Sequence, residues 1–290
     1  MRNEGVKGKS KKEKGKMKVG LGFRPQLKSE IFLHQEEIDF LEITADHYID
    51  ATTQKLAELE LLKQHFPLIP HGLSLSLGSV EGIDEIYLEK FAGLVENVQP
   101  EWFSDHICFT KSGGIDIGHL SPVPFTRESL KVLIRNISHV KKRIKTPLIL
   151  ENITYMFRYP FAEMDEAEFL RILLDETDCG LLLDATNLYI NSVNHGYDWR
   201  KLLDKLPLER VVQLHFVGGH KHKDYLIDSH SQKTQDEIWE VFREVCSRAD
   251  VKGAILERDE NFPPFGEILE ELQTARTLSE KANFSKSITV

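Results

Sequence analysis

The 290-residue sequence predicts an α/β protein built as a single (β/α)8 barrel. Eight short apolar segments alternate with amphipathic stretches of helical periodicity, which is typical of βαβ units with parallel strands. No Pro/Ser-rich linker divides the chain, and barrels of about 250 residues are routinely one domain. Seven of the eight apolar segments also end at or near His, Asp or Glu, as expected where a barrel carries its active site.

The predicted strands are short and rich in aliphatic residues. Pro67 and Pro147 directly precede the third and fifth of them, and proline is tolerated at the start of a strand. In chain order the predicted strands are Val19–Gly22, Phe40–Ile43, Leu68–His71, Trp102–His106, Leu148–Glu151, Leu181–Asp184, Val211–His215 and Ala254–Glu257.

The stretches between the strands have the apolar spacing of helices that pack one face on a sheet. Thr126 is expected to cap the helix that begins at Arg127. The predicted helices are Gln54–His65, Ile83–Asn97, Arg127–Lys142, Asp165–Asp175, Thr234–Ser247 and Phe265–Leu278.

Charge is distributed unevenly along the chain. The first 18 residues carry a net charge of +6, which leaves −15 on the remainder of a chain whose total is −9. Residues 1–17 have few apolar side chains to bury, so we expect a disordered basic tail there. We expect one catalytic barrel domain over 18–284 and a C-terminal tail over 285–290. The acidic body argues against binding to nucleic acid, because its field repels phosphates.

The sequence contains no apolar run long enough to cross a membrane and no signal peptide near its start. The cysteines Cys108, Cys179 and Cys246 are too few and too scattered to form a disulfide framework. We therefore expect a cytoplasmic protein without membrane contact, with these cysteines packed in the interior.

The strand ends predict a metal centre. Taken alone, each histidine would be interpreted as a hydrogen-bonded core residue and each carboxylate as a helix cap or surface charge. In a parallel barrel all these ends meet at one mouth, where crowded carboxylates repel one another unless cations neutralise them. Imidazole and carboxylate without thiolate suit Fe, Zn or Mn. The residues at the strand ends are Glu42, His71, His106, Glu151, Asp184, His215 and Glu257.

Other residues are candidates for the same mouth. Asp228 and His230 follow the seventh strand on a predicted loop, and an Asp-x-His pair is a common way to bind one ion. His195, on a predicted loop after the sixth strand, is a candidate substrate contact, with a structural turn as the alternative. Arg24 and Arg258 are candidates to bind a substrate carboxylate, and the alternative for each is a structural ion pair.

Several stretches combine into one specific pattern. They are Gly20–Arg24, His71–Gly78, Ser104–His106, Glu151–Asn152, Leu181–Asp184, Asn194–Gly196, Asp224–His230 and Leu256–Asp259. Together they resemble the multinuclear non-haem iron-dependent oxidative enzymes, some of which modify ribosomally made peptides, including the enzyme that forms the heterocycles of methanobactin. The resemblance spans Val19 to Leu278. It implies a TIM barrel with two or three iron ions (Fe2+/Fe3+) and dioxygen as co-substrate.

The barrel also resembles the xylose isomerase and endonuclease IV superfamily, and that resemblance implies how ligands are shared between ions. The first ion would lie on His71, His106 and Glu151; the second on Glu151, Asp184, His215 and Glu257; the third on Asp228, His230 and Asn187. Zinc phosphodiesterases of that group have histidine where this chain has Asn187. Asparagine is a weaker, neutral ligand, which favours the oxidative family.

One stretch departs from the family pattern. After the second strand many members carry Glu-Asn-Tyr, whereas this chain has Asp46-His47-Tyr48. We expect Asp46 to face the substrate, so the reaction need not match that of any one relative.

Three functions follow as hypotheses. The first is an iron oxidase that uses dioxygen to modify a ribosomal precursor peptide at cysteine, with a possible peptide-presenting partner protein; Glu151, Asp184 and His215 would be its catalytic residues. The second is a zinc-dependent phosphodiesterase, in which two ions activate water. The third is a metal-binding or docking barrel without catalytic activity.

Overall fold

The computed structural model describes residues 16–288, so residues 1–15 of the predicted basic tail lie outside it. Met17, the last residue assigned to that tail, is buried in the core. The strands are β1 Lys18–Gly22, β2 Leu41–Thr44, β3 Leu68–His71, β4 Phe103–His106, β5 Cys108–Ser112, β6 Ile115–Pro122, β7 Leu148–Glu151, β8 Gly180–Asp184, β9 Val211–Phe216, β10 Gly218–His222, β11 Tyr225–Gln232 and β12 Gly253–Leu256. The helices are α1 Lys28–Leu33, α2 Thr53–His65, α3 Glu85–Val98, α4 Arg127–Arg143, α5 Glu166–Thr177, α6 Ala185–His195, α7 Trp199–Leu203, α8 Asp236–Arg248 and α9 Phe265–Ile288.

Eight parallel strands close into a barrel in the order β1-β12-β9-β8-β7-β4-β3-β2. The predicted fold is therefore confirmed, and no strand bound differs from its predicted position by more than one residue. The register between neighbours sets the strand ends level: His106 lies opposite Glu151, and Asp184 lies opposite His215. All C-terminal strand ends consequently open onto one mouth.

The barrel interior contains an apolar layer, which we call the floor. Side chains alternate between the two faces of a strand, so every second residue points into the barrel. The floor residues are buried and pack on one another; they are Phe40, Ile69, Trp102, Ile149, Leu182 and Ile255. The residue two places further along five of these segments is one of the strand-end His, Asp or Glu residues. The floor therefore lies directly beneath the candidate ligands.

The helices surround the barrel and pack their apolar faces on the outward side of the strands. Thr126 caps α4 as predicted, since its hydroxyl accepts a hydrogen bond from the Ser129 amide at 3.2 Å. The last helix, α9, was predicted to end at Leu278 but continues to Ile288, so it extends into the segment assigned to a C-terminal tail.

Two antiparallel hairpins, β5-β6 and β10-β11, follow barrel strands β4 and β9 at the mouth and were not predicted. Asp228 and His230 lie on strand β11 rather than on a loop. Asn187 and His195 lie in helix α6, so His195 is not on the predicted loop. That helix starts immediately after β8 because Asp184, the last strand residue, is also its N-cap.

Among residues 16–288, none of the helices combines the length and the apolar character that a membrane span requires.

Candidate metal centre

The C-terminal ends of β3, β4 and β7 bring two histidines and a carboxylate together. The Nε2 atoms of His71 and His106 each lie 3.4 Å from Oε2 of Glu151. The two imidazole rings pack edge to face with their centroids 4.6 Å apart. All three side chains are buried, and their donor atoms are close enough to share one metal ion.

Both imidazoles are held by their other ring nitrogen. Nδ1 of His106 donates to the carbonyl of Gly72 at 3.1 Å, and Nδ1 of His71 lies 2.7 Å from the hydroxyl of Ser104. Burial lowers the pKa of His106 to about 4 and that of His71 well below its usual range. The carbonyl partner places the His106 proton on Nδ1 and its lone pair on Nε2, which faces Glu151 as in metal-binding histidines, and a His71 that donates to Ser104 is oriented in the same way.

A second group shares Glu151 with the first. Nδ1 of His215 lies 3.4 Å from Oε1 of Glu151 and 3.1 Å from Oε2 of Glu257. Asp184 completes this group, in which every residue is buried. We call the residues of the two groups the mouth cluster: His71, His106, Glu151, Asp184, His215 and Glu257. Because Glu151 directs one oxygen to each group, it is placed to bridge two ions.

His215 is positioned by a buried hydrogen-bonded chain that runs back into the floor. Its Nε2 lies 2.8 Å from Oε1 of Glu42. Gln213 donates to the other oxygen of Glu42 at 2.6 Å and accepts from the indole of Trp102 at 2.7 Å. A carboxylate behind a histidine fixes the ring and raises its basicity as a ligand. This chain therefore leaves Nδ1 of His215 directed at Glu151 and Glu257.

Several polar atoms of the predicted ligands are buried without a hydrogen-bond partner. They are Oε2 of Glu151, Oδ2 of Asp184 and Oδ1 of Asn187. An unsatisfied buried polar atom is destabilising by roughly 1–3 kcal/mol, and more when the group is charged. Native proteins avoid this concentration of unpaired atoms, whereas bound cations would satisfy all of them. The donor set thus fits metal ions.

The electrostatics of the cluster agree with that fit. Burial raises the pKa of Glu151 to about 8, and burial together with the charge of Asp228 raises the pKa of Asp184 to about 7. Burial disfavours a charged His215, but the carboxylates of Glu42, Glu151 and Glu257 outweigh it and raise the His215 pKa well above its usual range. The field at the mouth therefore attracts positive charge, either protons or metal cations.

Asp184 has a divided role. Its Oδ1 accepts the amide of Asn187 at 2.7 Å as the helix cap, which leaves Oδ2 free. The side-chain amide of Asn152 donates to the Asp184 carbonyl at 3.2 Å and accepts from the Asp184 amide at 2.9 Å. Asn187 donates its Nδ2 to the Asn152 carbonyl at 3.0 Å, so its own unpaired oxygen is fixed in direction. One compact network therefore orients both side chains.

A third group lies at the rim of the mouth. The donor atoms of His230, Glu257 and Asp259 are close enough to hold one ion, and Oδ1 of Asp228 lies 2.8 Å from Nε2 of His230. His230 adopts a left-handed backbone with φ 50°, which is uncommon for a residue with a side chain. This rim group shares His230 with the third set implied by the resemblance, and Asp228 of that set lies against His230.

The predicted substrate contacts have protein partners. Arg24 donates its Nε to Asp259 at 2.6 Å and lies 3.4 Å from Glu257, so it is ion-paired at the rim. Asp46 accepts the Leu73 amide at 2.9 Å. His195 lies 2.7 Å from the Tyr155 carbonyl through Nε2 and stacks on the Tyr155 ring. Of the three, Arg24 contacts a cluster residue, and none belongs to the groups of potential ligands.

Arg258 forms a structural ion pair with Glu271 at 3.4 Å, and such a pair was the alternative interpretation of this residue. Sequence reasoning also missed two roles. Glu42 was noted as a strand end without an assigned function, and Asp259 was not among the candidate ligands. The signal for Asp259 was its spacing, since residues two apart on an extended chain point the same way and Glu257 is two residues before it.

Solved structures with the same barrel are distant in sequence. The chain superimposes on the Escherichia coli 3-keto-D-glucoside 4-epimerase YcjR with a TM-score of 0.54 and 17% identity, covering 90% of this chain and 100% of that one. It superimposes on endonuclease IV from Thermus thermophilus with a TM-score of 0.55 and 14% identity, covering 91% and 99%. At this identity the likeness shows only the shared fold, an endonuclease IV-like and xylose isomerase-like TIM barrel.

The relatives in sequence are much nearer. A UPF0276 protein from Caulobacter vibrioides is 34% identical over 259 residues, which cover 89% of this chain and 92% of the relative. Residues 18–280 match the family model described as "RiPP precursor modification enzyme MbnB/TglH/ChrH", in which RiPP denotes a ribosomally made, post-translationally modified peptide. The chain therefore belongs to the MbnB/TglH/ChrH family of RiPP precursor modification enzymes.

Proposed function

We propose that this protein is a multinuclear non-haem iron enzyme that uses dioxygen to oxidise a ribosomal precursor peptide at cysteine. The observation that carries the proposal is Glu151, whose two oxygens face two different groups of buried ligands. Family membership supports the peptide substrate, since the family modifies RiPP precursors. The donor set and the field of the mouth support a cluster of more than one ion.

Iron fits the donor chemistry of the mouth cluster. The groups contain imidazole and carboxylate donors and no thiolate, a mixture typical of iron, zinc and manganese sites. Cys108 lies two residues after the candidate ligand His106. It is fully buried, and burial raises the pKa of its thiol well above the usual range. When bound, iron would supply the one-electron and dioxygen chemistry that amino-acid side chains lack.

The chain's own residues would bind, orient and shield. His71, His106 and Glu151 would hold one ion, and Glu151 with Asp184, His215 and Glu257 would hold a second. Glu42 keeps His215 in position from behind. The apolar floor closes the barrel beneath the cluster, so that substrate and solvent reach the ligands only from the mouth.

The lack of a thiolate among the candidate ligands that the structure describes supports a substrate cysteine as the target. Thiolate is a strong ligand for iron, and among the described residues the three groups of potential ligands contain none. A substrate cysteine would therefore add a donor of a type missing from the protein. We propose that the peptide reaches the cluster from the mouth, either alone or presented by a partner protein.

Oxygen consumption by anaerobically reconstituted protein tests the proposal. Protein loaded with Fe2+ is mixed with a cysteine-containing peptide in buffer of known oxygen content, and the peptide is analysed by mass spectrometry. We expect oxygen uptake and a mass change that both require cysteine, with a serine peptide as the matched control. Oxygen uptake and peptide mass that are the same with either peptide would refute the cysteine assignment.

A zinc-dependent phosphodiesterase is the second candidate, because a bridging carboxylate between two ions also suits activation of water for hydrolysis. Asn187, which stands where zinc phosphodiesterases of the endonuclease IV group have histidine, favours the oxidase. The net −15 of the body after residue 18 also favours it, since a nucleic-acid substrate would be repelled. Cleavage of an abasic-site oligonucleotide by zinc-loaded protein distinguishes the two. We expect no cleavage above that of Glu151→Gln protein.

A further inference from the structure

A cavity of about 440 Å3 lies outside the mouth cluster, and none of the residues that line it is a candidate ligand. It is formed by the segment after β7, the last residues of the β5-β6 hairpin, and the N-terminal ends of α5 and α7. Most of its wall is apolar, and it would accommodate a large side chain. The aromatic residues that line it are Phe125, Tyr155, Phe157, Tyr159 and Tyr197.

The cavity is close to the candidate ligands along the chain. Tyr155 follows Glu151 by four residues, so their Cα atoms are at most about 14 Å apart. The Tyr155 amide donates to Oδ1 of Asn191 at 3.1 Å, and Asn191 lies on the same helix as Asn187. The wall of the cavity is therefore hydrogen-bonded to α6, the helix that Asp184 of the mouth cluster caps.

The inner wall is braced by polar contacts. The Tyr155 hydroxyl donates to the buried carboxylate of Glu166 at 2.9 Å, and His195 stacks on the Tyr155 ring with centroids 4.6 Å apart. Tyr197 also lines the cavity, and its buried hydroxyl lies against Tyr155 and Glu166. A rigid aromatic wall of this kind is suited to binding a large apolar side chain.

The outer edge of the cavity is an exposed aromatic strip. Phe157 and Phe161 are 54% and 60% exposed, and Met156 beside them is 55% exposed. The rings of Phe157, Tyr159 and Phe161 follow one another at centroid distances of 5.1 and 5.4 Å. A contiguous exposed apolar surface beside a cavity is typical of an interaction site rather than of ordinary protein surface.

The charged side chains at the edge of the cavity indicate the charge of the ligand that it would bind. Lys205 is paired with Asp165 at 2.7 Å and Asp198 caps α7, whereas neither Arg158 nor Lys201 has a salt bridge within residues 16–288. Arg158 packs over the Tyr197 ring at 5.2 Å, and its charge acts on the buried carboxyl of Glu166. Lys201, an exposed cation without a salt bridge, lies at the same edge as Arg158, and the two favour a ligand that carries negative charge next to its apolar group.

We propose that this cavity anchors the substrate peptide, taking one large apolar side chain, preferably aromatic, with an adjacent Asp or Glu against Arg158 and Lys201. This inference rests on the proposed function for its peptide substrate. At about 3.4 Å per residue, an extended peptide would cover the distance to Glu151 in roughly four residues. The anchoring residue therefore lies within about five residues of the modified cysteine.

Short capped peptides test the anchor directly. The iron-loaded full chain is titrated under anaerobic conditions with Ac-Asp-Phe-Asp-NH2, Ac-Asp-Ala-Asp-NH2 and Ac-Lys-Phe-Lys-NH2 by calorimetry. We expect the Asp-Phe-Asp peptide to bind about tenfold or more tightly than either of the others, since apolar burial and charge both contribute. Equal binding of the Phe and Ala peptides, or tighter binding of the Lys peptide, would overturn the proposal.

Two exposed positions at the cavity provide variants that preserve the fold. Ala162→Trp should fill the cavity and abolish binding, and Lys201→Glu should weaken it about threefold to tenfold. The matched controls, Ala57→Trp on α2 and Lys142→Glu on α4, change exposed residues away from the cavity and should bind as the unaltered protein does. Unchanged binding by Ala162→Trp would contradict the proposal.

Oxygen uptake with two longer peptides separates this inference from the proposed function. Both peptides contain one cysteine, and only one has an Asp-Phe-Asp segment four residues away. If both are oxidised at equal rates by unaltered and Ala162→Trp protein, the anchor is wrong and the oxidase proposal stands. If Asp-Phe-Asp binding needs the open cavity while neither cysteine reacts, the anchor stands and the oxidase proposal fails.

Discussion

The mouth cluster and the floor lie one above the other in the same barrel and follow opposite rules. On β7 the floor residue Ile149 and the cluster residue Glu151 are two positions apart and face the same interior. The floor satisfies itself, because its apolar side chains pack on one another. The cluster does not, because Oε2 of Glu151 and Oδ2 of Asp184 are buried without a hydrogen bond. One layer is explained by packing within the protein, and the other is suited to binding cations.

The largest expected effect is that of Glu151→Gln, which keeps the shape of the bridging side chain and removes its charge. We expect metal content to fall below one ion per chain and peptide oxidation to fall by at least about 10²-fold, since even residues that only support ligands contribute 10–100-fold. The metal-free variant should be at least as stable as metal-free unaltered protein, because glutamine is neutral and cannot ionise in the buried site beside Asp184 and Glu257. Elemental analysis measures the metal content, and thermal unfolding measures the stability of the metal-free proteins. Full retention of metal by the variant would contradict the role of Glu151 as a shared ligand.

The floor should respond in the opposite way. Leu182→Ala removes a fully buried side chain beneath Asp184, and such truncations lower the free energy of unfolding by about 2–5 kcal/mol. Metal stoichiometry should not change, because no ligand is lost. Urea unfolding of the metal-free variant gives the first quantity and elemental analysis the second. A loss of metal without a loss of stability would contradict this division of roles.

Glu42 links the two layers, since it contacts His215 and, through Gln213, reaches Trp102. Glu42→Gln retains the shape of the side chain but weakens the charge behind the histidine. We expect metal affinity to fall about 10–100-fold, as it does when supporting residues of a metal ligand are changed. Competition with a chelator measures the affinity. An unchanged affinity would show that Glu42 only fills space.

Glu166 lies outside both layers and provides a contrast with the cluster carboxylates. It is a buried carboxyl group that already accepts a hydrogen bond from Tyr155. Burial raises its pKa to about 7, above the ordinary value of 4.5. The folded state therefore holds the proton more tightly, and this contribution to stability is lost as pH rises between those values. Compared with Glu166→Gln, unaltered protein should lose on the order of 1 kcal/mol from pH 5 to 6.5, with metal content equal in both. Equal pH dependence of their unfolding free energies would contradict this.

The sequence was most informative where short strands end in polar residues. The run Leu148-Ile149-Leu150-Glu151 predicts both an inward-facing strand and its ligand, because alternation and burial are local properties. The role of Glu42 was not predictable in this way. Its partner Gln213 is 171 residues away, and only the closed barrel brings them together.

The hairpins were missed for a related reason. His220 and His222 lie on β10 of a two-stranded sheet that has no apolar alternation to identify it. The aromatic strip had a clear signal, since aromatic residues occupy every second position from Tyr155 to Phe161, but its neighbours in the cavity come from three other elements.

Iron stoichiometry of protein purified and reconstituted without oxygen tests the central claim most directly. If two buried groups share Glu151, the unaltered chain should retain two or three iron ions, and Mössbauer spectra after oxidation should show at least two coupled iron sites. Glu151→Gln protein, treated in parallel, should lose that coupling. A single uncoupled ion, or no retained iron, would contradict the account.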